Sequence, residues 1–149
     1  MAIYDFVWFD NRAPEMDAAY DIRYTVFCEE QGYTREQEWD DTDKAAHHVL
    51  MREDGVPVGT GRLFWQGDDT IILGRIAVLK PARGRGVGAR LVQVMIEKAA
   101  ELGAARVRLD SQCRVIPFYE KQGFTVCGEE HLDGHVLHRA MALEFPAKK

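Results

Sequence analysis

The chain is short of cysteine and proline, with three cysteines and five prolines in 149 residues. The cysteines, Cys28, Cys113 and Cys127, are odd in number and show no Cys-x-x-Cys spacing, so neither a disulfide framework nor a zinc knuckle is predicted. No apolar run approaches the ~20 residues of a membrane-spanning helix. The apolar start of the chain carries Asp5 and no basic residue, unlike a secretory signal. These absences predict a cytoplasmic protein with no membrane partner.

An excess of positive charge is also missing. The chain has 19 Lys and Arg against 24 Asp and Glu, a net charge of −5. Binding to nucleic acid usually needs a basic face that neutralises phosphates, so no nucleic-acid partner is predicted. The remaining composition is that of an ordinary globular protein, and the length suits a single domain over residues 1–149.

Hydrophobic periodicity predicts an α/β protein that begins with a strand over residues 3–9. Pro14 suits the first turn of a helix, with Met16, Tyr20 and Phe27 recurring on one face before Gly32 ends it. The polar residues 33–44 form a loop or a short second helix. The later segments are predicted as strands over 47–52, 58–65 and 70–79, a helix over 87–102, a strand over 106–110, a short helix over 117–122, and strands over 124–128 and 136–145.

The most informative segment is residues 79–90, Leu-Lys-Pro-Ala-Arg-Gly-Arg-Gly-Val-Gly-Ala-Arg, between a strand and a helix. Its glycines allow a tight turn and a close approach of the backbone to a ligand. The helix beginning near Val87 adds unpaired N–H donors and the positive end of its dipole. Arg83 and Arg85 supply forked donors that suit phosphate oxygens. The segment therefore predicts binding of a nucleotide-like ligand through its pyrophosphate.

Spacing separates the candidate ligands only in part. Ala89 and Arg90 stand where a Walker loop needs Lys followed by Ser or Thr, so a nucleotide triphosphatase is not favoured. A dinucleotide-dependent oxidoreductase remains an alternative, because Gly84-x-Gly86-x-x-Ala89 with Asp110 fits a degenerate dinucleotide fingerprint. Residues 80–83 nevertheless separate the strand from the glycines, and too little chain follows Asp110 to complete a doubly wound sheet.

Two motifs resemble those of the GCN5-related N-acetyltransferase (GNAT) superfamily. Arg83-Gly84-Arg85-Gly86-Val87-Gly88 matches its Arg/Gln-x-x-Gly-x-Gly/Ala motif, and residues 116–124, Ile-Pro-Phe-Tyr-Glu-Lys-Gln-Gly-Phe, resemble its second signature. Residues 23–31 are similar to the ElaA/YjcF-like subgroup. The resemblance covers nearly the whole chain, and the element order β-α-(α)-β-β-β-α-β-α-β-β agrees with it. It implies the GNAT acyl-CoA N-acyltransferase fold, a mixed central sheet of about seven strands that splays between strands 4 and 5.

The resemblance also implies how acetyl-CoA is held as acyl donor. The pantetheine arm pairs with the backbone of residues 76–78, where an N–H group faces the developing oxyanion. Tyr119 occupies the position whose hydroxyl protonates the leaving thiolate. The full set of implied cofactor-binding residues is Ile76, Ala77, Val78, Arg83, Gly84, Arg85, Gly86, Val87, Gly88 and Ala89.

The acceptor side is less defined. The expected acceptor is a primary amine, most simply a small molecule, with Glu38 and Asp110 ranked equally as general base. Binding of an already deprotonated amine, without a strong base, remains open. Arg23 and Phe27 are assigned to the acceptor pocket, although a surface salt bridge explains Arg23 equally well. The other ionisable candidates are Glu29, Asp40, His47, His48, His135 and His138.

Departures from the subgroup leave the acceptor unnamed. Asp110-Ser111-Gln112 stands where a His-Ala-Gln-like sequence is expected, and residues 133–138 match a Gly-Ile-x-His pattern only in part. The Asp and His residues between 40 and 48 show no recognised ligand spacing, so no metal is predicted. A non-catalytic CoA-binding module on the same fold is the second alternative. Exposed C-terminal strands would allow a homodimer by edge pairing.

Overall fold

The computed structural model describes residues 1–146 and contains one mixed sheet of eight strands. The strand order is β1-β2-β3-β4-β5-β8-β6, and β7 pairs with β8. The strands are β1 (Tyr4–Phe9), β2 (His47–Glu53), β3 (Val56–Gln66), β4 (Thr70–Val78), β5 (Arg106–Gln112), β6 (Thr125–Val126), β7 (His131–Asp133) and β8 (Val136–Glu144).

Five α-helices accompany the sheet within the described residues. They are α1 (Glu15–Arg23), α2 (Arg35–Glu38), α3 (Thr42–Ala45), α4 (Val87–Glu101) and α5 (Ile116–Lys121). A π-helical segment, Tyr24–Glu30, continues α1, and 3₁₀ turns precede α4 and α5 at Lys80–Ala82 and Cys113–Val115. No helix among residues 1–146 has the length and apolarity needed to cross a membrane.

The sheet opens between its two central strands. Parallel pairing of β4 with β5 is confined to residues 70–72 against residues 106–108. Every other described pairing is antiparallel, which is incompatible with a doubly wound sheet and so removes the fold argument for a dinucleotide-dependent oxidoreductase. The predicted splay between strands 4 and 5 is confirmed.

The core lies where α4 packs against the sheet. Leu91, Val92 and Met95 of α4 are fully buried among the strands. Gly61 of β3 makes this approach possible, because a Cβ at that position would lie 2.5 Å from the Met95 sulfur. Helix α4, which follows the glycine–arginine segment (residues 79–86), is therefore packed tightly against the sheet through its buried face.

The structure extends one sequence expectation and corrects another. The sheet of about seven predicted strands has an eighth, β7, whose three exposed residues pair with β8 around Gly134 and carry no apolar pattern. The first helix buries only part of the predicted face: Met16 is buried, whereas Tyr20 and Phe27 are only partly buried. Ala19, Ile22 and Val26 complete the buried face instead. The π-helical segment alters the helical period after Arg23, which an α-helical pattern does not anticipate.

Candidate active site

The open side of β4 lines a cleft of about 880 Å³, within the ~300–1,000 Å³ typical of ligand sites. We call its two halves the donor end and the acceptor end. The donor end is lined by Ile76, Ala77, Val78, Lys80, Arg83 and Gly88. The acceptor end is lined by Tyr33, Glu38, Arg75, Asp110, Asp133 and His138, and Phe27 and Tyr119 also line the cleft.

At the donor end, residues 76–78 present one free edge of backbone. Ala77 and Val78 pair with Thr60 and Gly59 of β3 on one side. On the other side, β5 pairs with β4 only as far as Ile72. The backbone groups of successive strand residues point to opposite edges, so those of Ile76 and Val78 face the cleft without a strand partner. An extended ligand can pair with such an edge.

The glycine–arginine segment turns from β4 into α4. Gly84 and Gly86 have φ values of 83° and 76°, a left-handed conformation that side chains with a Cβ rarely adopt. Arg90 donates the first helical bond to the Gly86 carbonyl at 3.2 Å. The N–H groups of residues 87–89 precede that bond and have no acceptor within the helix, so they are available to an anion.

The two predicted phosphate-binding arginines lie in different places. Arg83 lines the cleft, donating to the Val78 carbonyl at 2.8 Å and to Glu30 at 2.7 Å. Arg85 donates to Glu53 at 2.8 Å and is not among the lining residues. Of the predicted phosphate-binding residues 83–89, Arg83 and Gly88 reach the cleft wall, while Val87 is buried in the core. Gly84, Arg85, Gly86 and Ala89 contribute through the turn.

A bulge in β4 directs Arg75 toward the acceptor end. The register between β3 and β4 shifts after Thr60, and Arg75 adopts a φ of 50° there. A left-handed conformation costs a residue with a Cβ about 1–2 kcal/mol, so the surrounding contacts must hold it. Arg75 donates to the Glu38 carbonyl at 3.2 Å and to Asp40 at 3.2 Å.

Glu38 has the carboxylate best suited to accept a proton. Its side chain is 6% exposed, and Arg75 Nε lies 3.1 Å from its Oε2. The Nε hydrogen points to the Glu38 carbonyl, however, so Oε2 accepts no hydrogen bond from residues 1–146. Burial raises the pKa of this carboxyl above its usual range, more than the opposing Arg75 charge lowers it. A buried oxygen without a donor at the cleft wall is poised to receive one from a ligand.

An ion-pair network lies behind Glu38. Arg23 donates to Asp43 at 2.9 Å and to the Glu38 carbonyl at 2.8 Å, and Arg62 bridges Asp43 and Asp40 at 2.8 and 2.7 Å. Arg23 is 1% exposed and does not line the cleft. Arg23 therefore neither lines the acceptor pocket nor forms a surface salt bridge. Its buried guanidinium fixes the end of α2 by donating to the Glu38 carbonyl. The sequence did not predict this burial, because the partners of Arg23 lie 15 and 20 residues further along the chain.

Tyr119 stands in an aromatic cluster at the cleft. Its ring packs edge-on against Phe118 and Phe124, with centroid separations of 5.1 and 5.9 Å. Its hydroxyl makes no hydrogen bond to any of residues 1–146, and burial raises its pKa to about 12. The phenol is therefore protonated at neutral pH and can donate to a ligand.

Asp110, Asp133 and His138 line the far wall of the cleft, and His131 contacts Asp110. Asp110 accepts a hydrogen bond from His131 at 2.8 Å, and His138 lies 3.8 Å from Asp133. Tyr33 donates to the Asp133 carbonyl at 3.0 Å. His131 and Asp133 lie on β7, whose existence the sequence did not predict, so neither residue was assigned to the site. Among the other candidates, His48 is buried against the Asp43 carbonyl and His47 is exposed, both outside the cleft wall.

Comparison with known proteins agrees with this geometry. The sequence model described as the acetyltransferase (GNAT) family matches residues 4–124. The chain belongs to the GNAT acetyltransferase family. Its relatives in this family include the uncharacterized N-acetyltransferase YjcF of Bacillus subtilis, 36% identical over 133 residues that cover 88% of this chain and 93% of YjcF.

Solved GNAT structures share the fold. Escherichia coli ElaA superposes with a TM-score of 0.86 at 23% identity, covering 95% of this chain and all of ElaA. A GNAT acetyltransferase from Elizabethkingia anophelis with acetyl-CoA bound superposes with a TM-score of 0.76 at 15% identity, covering 95% of this chain and 98% of the other. At these identities the likeness supports the architecture alone.

Proposed function

We propose that this protein transfers an acetyl group directly from acetyl-CoA to the primary amine of a small molecule. The observation that supports this proposal is one continuous cleft. Its donor end has a free strand edge and a turn with N–H groups available to an anion. Its acceptor end has the buried Glu38 Oε2, which lies 3.1 Å from Arg75 Nε but accepts no hydrogen bond from residues 1–146. The family and the acetyl-CoA-bound GNAT structure support the choice of donor.

The donor end fits the parts of acetyl-CoA. Acetyl-CoA supplies an activated acetyl thioester. Residues 76–78 hold its extended arm by backbone pairing, while Arg83 and the N–H groups at the start of α4 bind its pyrophosphate. A backbone N–H of residues 76–78 stabilises negative charge on the thioester oxygen, a contact worth about 3–4 kcal/mol in comparable sites.

Two side chains move protons. Glu38 accepts a proton from the attacking amine, because its Oε2 is buried without a hydrogen-bond donor and burial raises the pKa of its carboxyl. Tyr119 donates its phenolic proton to the departing sulfur, since its hydroxyl has no competing partner within residues 1–146. Asp110 is the second candidate base. It is exposed and already hydrogen-bonded to His131, and we therefore rank it below Glu38.

Calorimetric titration with acetyl-CoA, CoA and NADPH tests the donor. We expect binding of both CoA forms and none of NADPH; NADPH binding without CoA binding would overturn the proposal. Thiol release from acetyl-CoA with a panel of amines then tests catalysis. CoA binding without transfer to any amine would favour the non-catalytic module.

The remaining parts of the proposal concern conditions and assembly. We place the reaction in the cytoplasm, where Cys28, Cys113 and Cys127 would stay reduced as the free thiols they are here. Activity without added metal and after chelator treatment is expected. A homodimer through the C-terminal strands is also proposed, and light scattering across a concentration series tests it.

A further inference from the structure

The acceptor end carries a cluster of hydrogen-bond acceptors with too few donors. Asp110, Asp133 and His138 each present one ligand atom, and these atoms lie within 4.8 Å of one another. Asp110 and Asp133 are exposed to the cleft, whereas His138 is 5% exposed. Asp110 receives one hydrogen bond from His131, and the Asp133 carboxylate receives none from residues 1–146.

His138 is the second, independent indication of a ligand. Its Nδ1 donates to the Val136 carbonyl at 2.9 Å, because a carbonyl oxygen can only accept. Its Nε2 faces the Asp133 carboxylate at 3.8 Å, which is too far for a hydrogen bond, and makes no hydrogen bond to any of residues 1–146. The gap between this nitrogen and the carboxylate is open to a cationic hydrogen-bond donor of a ligand.

Nearby arginines do not supply that donor. Arg75 is directed to Glu38 and Asp40, and Arg62 to Asp40 and Asp43. Tyr33, Glu38, Asp110 and Asp133 all line this end of the cleft. Burial raises the pKa of Tyr33 to about 12, and the nearby carboxylates of Asp133, Glu38 and Asp110 add to this effect. The acceptor end is therefore locally anionic.

The spacing admits an ammonium group as well as a metal ion. Acceptors placed tetrahedrally about an ammonium nitrogen at ~2.8 Å stand about 4.6 Å apart. Ligands placed tetrahedrally about zinc at ~2.1 Å stand about 3.4 Å apart. The 3.8 Å between His138 and Asp133 lies between these values, within a cluster that spans up to 4.8 Å, and the amine acceptor of the proposed function is the reason to assign an ammonium group.

We infer that Asp133, His138 and Asp110 form a subsite for a second ammonium of the acceptor, so that the substrate class is a diamine or polyamine. This inference rests on the proposed function, because the first amine of the same molecule is the one acetylated. The second ammonium donates hydrogen bonds to the Asp133 and Asp110 carboxylates and to His138 Nε2.

Acetyl transfer to 1,4-diaminobutane, butylamine and 4-aminobutanoate tests the inference. These acceptors share a four-carbon chain and differ only in the group at its far end. We expect kcat/KM for the diamine to exceed that for butylamine at least about tenfold, as hydrogen bonds to charged groups typically contribute, and 4-aminobutanoate to be poorest. Equal values for the diamine and butylamine would overturn the subsite.

Substitutions locate the effect. Asp133→Asn removes the charge of a carboxylate that makes no hydrogen bond to any of residues 1–146, while the Asp133 backbone carbonyl still accepts from Tyr33. We expect it to cut the diamine-to-butylamine ratio about tenfold, and the control Glu130→Gln, an exposed neighbour, to leave the ratio unchanged. An unchanged ratio in Asp133→Asn would refute the assignment.

Binding without chemistry separates this inference from the proposed function. Calorimetry of 1,4-diaminobutane with the CoA-saturated protein should show binding that weakens about tenfold in Asp133→Asn, even if no amine is acetylated. Binding of one zinc ion per chain, lost in the same variant and competing with the diamine, would instead identify a metal site and overturn the inference.

Discussion

At the scale of single residues, Glu38 combines burial with an unmet hydrogen-bonding capacity. Glu38→Gln keeps the shape of the side chain and leaves Arg75 bonded to the Glu38 carbonyl and Asp40. We predict a fall in kcat/KM of about 10²–10⁴, the usual contribution of a general base, with a melting temperature close to that of the parent.

The matched control is Glu36→Gln, an exposed residue of the same short helix, which should retain full activity. The pH profile gives a second readout. Because burial raises the pKa of Glu38, the parent rate should climb as pH rises through that raised value, and the Gln variant should lack this limb. A variant with parental activity would exclude Glu38 as the base.

Tyr119→Phe removes one hydroxyl and keeps the ring that packs on Phe118 and Phe124. We predict a fall in kcat of about 10²-fold or more, with acetyl-CoA affinity nearly unchanged, measured by steady-state kinetics and calorimetry. Since burial raises the Tyr119 pKa to about 12, the donor stays protonated and no alkaline loss from this group should occur below about pH 10. Unchanged turnover would remove the proposed role.

The sequence predicted the residues that form short local motifs. The glycines of residues 84–88 and the aromatic pair before Gly123 are short motifs, so their placement beside one cleft was predictable. The pairing of Arg75 with Glu38 spans 37 residues and depends on a strand bulge. Arg85 shows the reverse case. Its position in the glycine–arginine motif predicts a phosphate contact, whereas in the structure its guanidinium donates to Glu53.

At the scale of elements, helices α2 and α3 are too short to be stable alone, and the buried ion pairs attach them to the sheet. Asp43 is central, because it accepts from Arg23 and Arg62 and is 3% exposed. Asp43→Asn should lower the free energy of unfolding by about 3–5 kcal/mol, since it leaves a buried guanidinium without its counter-charge.

Urea unfolding followed by circular dichroism measures this loss. Asp41→Asn is the control, because Asp41 lies two residues away, is exposed and, among residues 1–146, forms an ion pair only with exposed Lys44 at 3.4 Å. It should change stability by less than about 1 kcal/mol. Equal effects of the two substitutions would show that the network does not anchor these helices.

The element order was predictable because alternation and turn residues repeat along the chain. Strand β7 was not, since its three residues are all exposed and pair through a hairpin rather than by burial. The π-helical segment was missed for a related reason: a change of helical period within one apolar run leaves no separate sequence signal.

At the scale of the whole molecule, ligand binding and folding are linked, because residues from both halves of the sheet line one cleft. Acetyl-CoA at 100 times its dissociation constant should stabilise the folded state by about 2.7 kcal/mol. For a chain of this size that raises the melting temperature by about 5–10 °C, measurable by calorimetry. NADPH at the same concentration should cause no shift, and an equal shift would contradict a CoA-specific cleft.

The short pairing of β4 with β5 has a consequence for selectivity among extended molecules. A free strand edge on a protein surface accepts other polypeptides and favours aggregation. Here residues 76–78 expose their edge inside a cleft flanked by β5 and α5, where a polypeptide carrying side chains on both faces meets steric obstruction. A narrow extended ligand that carries amide groups but no side chains can enter. The fold therefore leaves an unpaired strand edge accessible to small ligands while protecting it from pairing with other polypeptides.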